Sequence, residues 1–328
     1  MTGKCGLTRE HVSRILGNES LENAARRLRP DMEDLPHVPS GSAKISSDRA
    51  RALWEEIGGA PALREILLER APDDLSLYQG NIENAIGLLR MPIGLAGPLR
   101  VNGMAAKGDY PIPLATTEAA LVASYHRGCR LLTAAGGCTA LVLYESLSRA
   151  PGFVFETAAD ACRFIAWAVQ QFEEFQRIVA TTTAHGRLVD LGCTVEGNHV
   201  YLNFEFTTGD ASGQNMVTLA TQAVCDEIIH RTPVKPLRHY VESNLSGDKK
   251  ASARAFTTAR GKKVTAEAHV SAELIAKHLH TTPQAMADYW RMSAIGGVLS
   301  GTLGVHGHFA NGLAALFPSS ACRRRPSR

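Results

Sequence analysis

Apolar positions along this chain change their period several times, and the changes mark out its parts. The first sixty residues are polar and helical in pattern, broken at Pro30, Pro36 and Pro39. The run APALREILLER predicts a short helix up to Arg70, followed by a loop at Pro72. Residues 80–115 are rich in glycine and proline, and their X-Pro steps favour extended chain or turns. A long helix is expected from Thr116, as its cap, to the Gly136-Gly137 pair.

Past Pro151 the texture alters. Thr157 and Asp160 have capping spacing ahead of a helical stripe of Phe164, Ile165, Ala168, Phe172 and Phe175. Two strand-like runs then flank Glu196-Gly197-Asn198, which reads as a hairpin turn. In the second run Val200, Leu202, Phe204 and Phe206 share one face. Asp210 opens a further helix, from about Ala211 to His230. This order predicts a compact α+β subdomain over about 152–242. After it come a lysine loop (SGDKKAS), a strand near Val264–Val270, two helical stretches, and a glycine-rich segment ending in GLAALF. The tail PSSACRRRPSR loses all periodicity.

Composition narrows the class. With 328 residues, 45% hydrophobic and 20% charged, the chain can bury a sizeable core over about two domains. Thirty-five Lys and Arg against 32 Asp and Glu give a net charge of +3, which argues against a nucleic-acid stripe or a polybasic membrane patch. Arg323-Arg324-Arg325 reads as a solvated tail. Seven cysteines without a C-x-x-C pair imply reduced thiols in a cytoplasmic protein. No stretch approaches the roughly 18 apolar residues of a membrane span, and the first twenty residues lack a signal-peptide core.

Several positions offer chemistry, each with a plainer reading beside it. Glu118 stands where a carboxylate favours a helix start, and a capping glutamate explains it as readily as a catalytic one. Lys249 and Lys250 follow Asp248 in a loop of small residues. They are solvated lysines or a cationic clamp on a developing oxyanion. Gly209-Asp210-Ala211-Ser212-Gly213 can cradle a phosphate on free N–H groups or simply make a tight capped turn. His306 and His308 have alternate spacing without a carboxylate or cysteine cluster, so no metal is expected. No G-x-S-x-G elbow or P-loop occurs, which leaves hydrolase and kinase readings unsupported.

The order of six segments carries more than any one of them. IENAIGLLRMPIGLAGPL (82–99), PLATTEAALVASYHRGCRLLTAAGG (113–137), SLSRAP (146–151), TTGDASGQNMV (207–217), SGDKKASARAFTTARGKKVTAEA (246–268) and SGTLGVHGHFAN (300–311) together resemble the 3-hydroxy-3-methylglutaryl-CoA (HMG-CoA) reductase family, class I-like. The resemblance implies an α+β fold: a large substrate and CoA domain (61–151 and 243–328) preceded by a helical region (1–60) and interrupted by an inserted, ferredoxin-like NAD(P)H-binding domain (152–242). It implies an NADPH-dependent, four-electron reduction of HMG-CoA, or a related acyl-CoA, to mevalonate and CoA. NADH is the alternative cofactor and a homodimer or higher homo-oligomer the expected assembly. By the same resemblance Glu118, Lys249 and Asn311 are catalytic. Arg149, Asp248 and Lys250 hold the acyl group, and Glu83, Asn84 and Gly87 meet CoA. Asp210, Gln214, Asn215 and Met216 receive the dinucleotide.

The chain also departs from the pattern. Ala119 follows the glutamate in place of the family's glycine, Asn203 stands where an arginine is usual, and Ser212 and Gln214 replace methionines. Asn203 implies altered NADPH preference. Glu242-Ser243 replaces Ser-Gly ahead of the lysine loop, placing an acid near an anionic substrate. After Phe317 no counterpart follows to the family's Gly-Gln-Asp aspartate or its C-terminal histidine. Loss of such a general acid costs ~10² to 10⁴ in rate. The competing expectation is therefore a catalytically impaired or inactive shortened paralogue, from an early stop or a shifted frame, that binds CoA thioesters.

Overall fold

A computed structural model describes residues 43–320, apart from 59, 70–73, 257 and 259, together with positions 13, 16–20, 22 and 23. The readings of residues 1–42, save those positions, and of Arg323–Arg325 fall outside the described residues. The chain packs as two compact units, residues 1–90 and 91–328.

In the first unit, α1 (Ser47–Ile57) starts where Ser46 Oγ accepts from Arg49 N–H at 3.2 Å and stops at left-handed Gly58. Its apolar side, Ala50 and Trp54, packs with Ile45, Leu68, Leu75 and Ala85. Trp54 Nε1 donates to the Ile86 carbonyl at 2.7 Å, so the indole is buried with its one donor met. The expected helix after Gly58 is α2 (Pro61–Arg64), with Pro61 at its first turn, running into a π-turn at Glu65–Glu69. Gly87 follows from this packing: a Cβ there would lie 2.3 Å from the Leu67 carbonyl oxygen.

The second unit is built on one long strand. The glycine- and proline-rich stretch forms the antiparallel pair β1 (Ile93–Gly103) and β2 (Lys107–Ala115). β3 (Cys138–Arg149) pairs in parallel with β1 through its first residues and antiparallel with β8 (Gly261–Glu267) along most of its length. Its last residues, Leu147–Arg149, leave that sheet and pair with β6 (His199–Thr207). β3 therefore runs through both sheets, and Ser148 and Arg149 sit at the passage.

The second sheet has the order β5–β6–β4–β7, with β4 (Gly152–Val154), β5 (Arg187–Glu196) and β7 (Arg238–Tyr240). Along the chain it reads βαββαβ, the ferredoxin-like arrangement. The first crossover is α4 (Ala158–Ala168) and α5 (Phe172–Thr182), two helices split by a 3₁₀ turn where the sequence predicted a continuous stripe. The second is α6 (Gln214–Arg231). Thr157 caps α4, its Oγ1 accepting from Asp160 N–H at 3.1 Å. The hairpin turns at Gly197-Asn198, and Val200, Leu202, Phe204 and Phe206 are all buried on one face as the alternation predicts. They close on Phe153, Phe155, Phe164 and Phe175, with Phe155 and Phe164 centroids 4.8 Å apart.

Helix α3 (Leu121–Ala134) lies on β1, tied by Arg100 N–H donating to Thr133 Oγ1 at 3.0 Å. Then come α7 (Ala272–Leu279), α8 (Pro283–Ser300) and α9 (Phe309–Ser320). α9 packs on β2 and α3 through Ala315 and Leu316 and carries the helix three residues past Phe317, into the stretch expected to be patternless.

Candidate functional site

Two of the expected helix starts lie elsewhere. Thr116 does not cap α3. Its Oγ1 accepts from Glu118 N–H at 2.9 Å in a turn, and the helix begins at Leu121 behind Ala120, which is left-handed at φ 66°. A threonine that satisfies the amide two residues on holds the chain in a turn instead of a helix. Glu118 is thereby an exposed loop residue. Asp210 likewise opens no helix: α6 starts at Gln214 behind left-handed Gly213, with no side-chain cap.

Glu118 has one designed-looking partner. Asn311 Nδ2 donates to Glu118 Oε2 at 3.0 Å and Oε1 at 3.2 Å, across 193 residues of sequence. The helix α9 that brings Asn311 there is fixed three ways. Tyr125 Oη donates to the His308 carbonyl at 2.8 Å, Ser319 Oγ donates to the Pro113 carbonyl at 2.7 Å, and Gly312 lets the helix backbone approach Tyr125. Glu118 and Asn311 line a cavity of about 450 Å³ with Thr116, Leu121 and Ala314.

The lysine loop builds a second cavity of about 610 Å³. Asn244, Gly247 and Lys249 all have positive φ, at 67°, 71° and 55°. Such a backbone in a bulky non-glycine residue is held by its surroundings and marks functional loops. Ser148 Oγ donates to the Ser246 carbonyl at 3.2 Å, Ser246 Oγ accepts from Asp248 N–H at 3.3 Å, and Lys250 Nζ donates to the Asp248 carbonyl at 2.7 Å. Asp248 Oδ1 accepts from Arg260 Nε at 2.7 Å, and Arg260 also donates to the Ser148 carbonyl and to Gln214 Oε1. Burial pulls the Arg260 guanidinium below its ordinary pKa, with Asp248 opposing that shift. Lys249 lines the same cavity beside Lys250, Arg254, Arg260, Lys262 and Lys263. Arg149, only 8% exposed, donates to Thr218 Oγ1 at 2.8 Å and faces Glu242 at 3.3 Å and Asp248 at 3.8 Å.

This cavity therefore collects Asp248, Lys249, Lys250 and Gln214 of the sequence-predicted residues, while Glu118 and Asn311 share the other one. Glu83, Asn84 and Gly87 belong to the first unit, where Asn84 has φ 50°. Arg260 and Thr218 were not legible as site residues, since a lone arginine at a strand start and a mid-helix threonine carry no local signal.

The start of α6 offers a place for an anionic cofactor. Its first intrahelical bond is Val217 N–H to the Gly213 carbonyl, so the amides ahead of it have no helical acceptor. Gly213 admits no side chain, because a Cβ would lie 2.4 Å from Thr208 Cγ2. Asp210 is exposed in the preceding turn, and Met216 Sδ accepts from Thr183 Oγ1 at 2.9 Å. An uncapped helix N-terminus with small residues before it suits a pyrophosphate. Asn203 points elsewhere: its Nδ2 donates to buried Glu205 at 2.7 Å, and Ser146 Oγ donates to the same carboxylate at 2.6 Å.

The sequence profile described as Hydroxymethylglutaryl-coenzyme A reductase matches residues 49–321. The chain belongs to the hydroxymethylglutaryl-coenzyme A reductase family. Relatives named 3-hydroxy-3-methylglutaryl-coenzyme A reductase include those of Pyrococcus abyssi, 43% identical over 249 residues (75% of this chain, 60% of the relative), and Methanocaldococcus jannaschii, 38% over 250 residues (75% and 62%). That of Aeropyrum pernix is 39% identical over 300 residues, covering 87% of this chain and 71% of its own length. The chain thus spans about three-fifths of most of these reductases. In fold it is similar to the class II reductase of Streptococcus pneumoniae bound to NADPH, with a TM-score of 0.52 over 78% of this chain and 65% of that one, at 18% identity.

Proposed function

We propose that this reductase-family chain reduces the thioester of HMG-CoA with NADPH, releasing CoA and, after a second reduction, mevalonate. The observation that carries this reading is Lys249, set in left-handed backbone within a cationic cavity and braced by the Asp248–Arg260 ion pair. The loop backbone is held in place, and the exposed ammonium it carries can stabilise charge that develops on a carbonyl oxygen.

In this proposal Asp210, Gln214, Asn215 and Met216 hold the dinucleotide at the start of α6, and when bound it supplies hydride. Lys249 meets the oxyanion at the thioester carbon. Glu118 holds the proton that this oxygen takes up, and Asn311 fixes the glutamate's rotamer through the bonds it donates. Arg149, Asp248 and Lys250 position the acyl group, while Glu83, Asn84 and Gly87 meet CoA. The division into a large domain (61–151 with 243–328) and an inserted dinucleotide domain (152–242) belongs to the same reading. So does a cytoplasmic location, which agrees with the finding that no helix among the described residues is long and apolar enough to cross a membrane.

The two cavities give a reason for a homodimer, because a second copy can bring its Glu118–Asn311 pair to the lysine loop of the first. Lys249→Ala should abolish NADPH consumption with HMG-CoA while the variant unfolds as the parent does. Undiminished consumption in that variant would remove the lysine from the reaction.

A further inference from the structure

Arg149 is a buried guanidinium with an incomplete set of partners. Its Nη2 donates to Thr218 Oγ1 at 2.8 Å and, at 3.5 Å, to the Gln214 carbonyl. Its Nη1 faces Glu242 Oε2 at 3.3 Å and Asp248 Oδ2 at 3.8 Å. Its Nε–H is buried and meets no acceptor among the described residues. A guanidinium engaged by a committed carboxylate shows two contacts of about 2.7–2.9 Å. Here Asp248 spends its close bond on Arg260 at 2.7 Å, and Glu242 is shared out as well. Glu242 Oε1 accepts from Asn244 N–H at 2.8 Å, and Oε2 accepts from Ala150 N–H at 3.4 Å. Arg149 is thus flanked by two carboxylates, neither in the bidentate geometry, and retains an unused donor.

From this geometry we infer that Glu242 is a specificity-determining residue, an internal carboxylate that competes for Arg149 with the terminal carboxylate of a dicarboxylic acyl thioester. The inference rests on the reading that Arg149, Asp248 and Lys250 position the acyl group. Glu242 is one strand-end away from the Asp248 loop, and its carboxylate is anchored by backbone amides, so it stays beside the guanidinium whether or not substrate is present. The Nε–H is enclosed, so an arriving carboxylate approaches the Nη end of the guanidinium. It must share Nη1 with Glu242 and sit close to a like charge, which weakens its binding. An acyl group that ends in a methyl has no such conflict. Glu242 therefore lowers the preference for a dicarboxylic acyl chain over a neutral one of the same shape. The effect is expected in substrate binding, because the proposed reaction assigns neither Glu242 nor Arg149 to the reacting carbonyl.

The test is calorimetric binding of HMG-CoA and of 3-hydroxy-3-methylbutyryl-CoA, its analogue without the terminal carboxylate, to the full chain and to Glu242→Gln and Glu242→Ser. Glutamine keeps the size and an acceptor oxygen but removes the charge. Serine removes the charge and most of the side-chain length; one folded variant suffices, and thermal unfolding identifies it. The expected result is binding of HMG-CoA about tenfold tighter in the variant, the size of one charge-assisted hydrogen bond, with the neutral thioester unchanged. Equal gains for both thioesters, no gain for either, or weaker HMG-CoA binding would each overturn the inference. Failure of the unaltered chain to bind either thioester would instead overturn the acyl-site reading on which it stands.

Discussion

Lys249 and Ala120 share a conformation that costs an L-residue roughly 1–2 kcal/mol, and each stands at or beside a residue assigned to the chemistry. Ala120 lies two positions past Glu118 and turns the chain from the glutamate into α3. Replacing it with glycine should raise stability by about 1 kcal/mol in urea unfolding, since the left-handed cost disappears. In the proposed reaction Asn311 acts through Glu118, to whose oxygens it donates at 3.0 and 3.2 Å. Asn311→Ala should lower kcat about 10- to 100-fold with KM within about twofold, because a glutamate free to rotate is misplaced for proton transfer. A change confined to KM would put Asn311 in substrate binding instead. Glu118 and Asn311 were legible as candidates from the motifs that contain them. Their hydrogen bond was not, because 193 residues separate them and nothing local encodes the contact.

At the scale of elements, α9 decides where Asn311 sits. Gly312 permits its close approach to α3, since a Cβ there would meet Tyr125 Oη at 2.0 Å. Gly312→Ala should therefore push Tyr125 or α9 aside, costing about 1–3 kcal/mol of stability. The same displacement should loosen the Glu118–Asn311 contact, so kcat is expected to fall along with the melting temperature. The period-two run of β6 and the capping of α4 were readable in advance because one face and one threonine oxygen determine them. The starts of α3 and α6 lie several residues past the positions that the sequence pattern predicts. In each case a polar residue that looked like a cap belongs to a preceding turn, and a left-handed residue, Ala120 or Gly213, begins the helix. Composition does not announce such a turn when the left-handed residue is alanine.

For the molecule as a whole, the ferredoxin-like unit carries a dense aromatic core and is continuous with the other sheet through β3. Cys225 lies within that core, where burial pushes its thiol from the ordinary 9.0 up to about 12. The folded thiol keeps its proton to higher pH than the unfolded one. Its contribution is complete below 9.0 and is lost as pH rises towards about 12. Cys225→Ala should flatten the alkaline fall in urea-unfolding stability over that window, and an unchanged slope would place the loss in other groups. The order of motifs pointed to the family, whereas the Arg149–Asp248–Arg260 cluster appeared only when β3, α6 and the lysine loop came together. Thioester reduction is tested most directly by counting NADPH oxidised against CoA released when the purified chain is given HMG-CoA. The account predicts two NADPH consumed for each CoA, with neither change when HMG-CoA is omitted. NADPH oxidation without CoA release, or CoA release without NADPH oxidation, would contradict it.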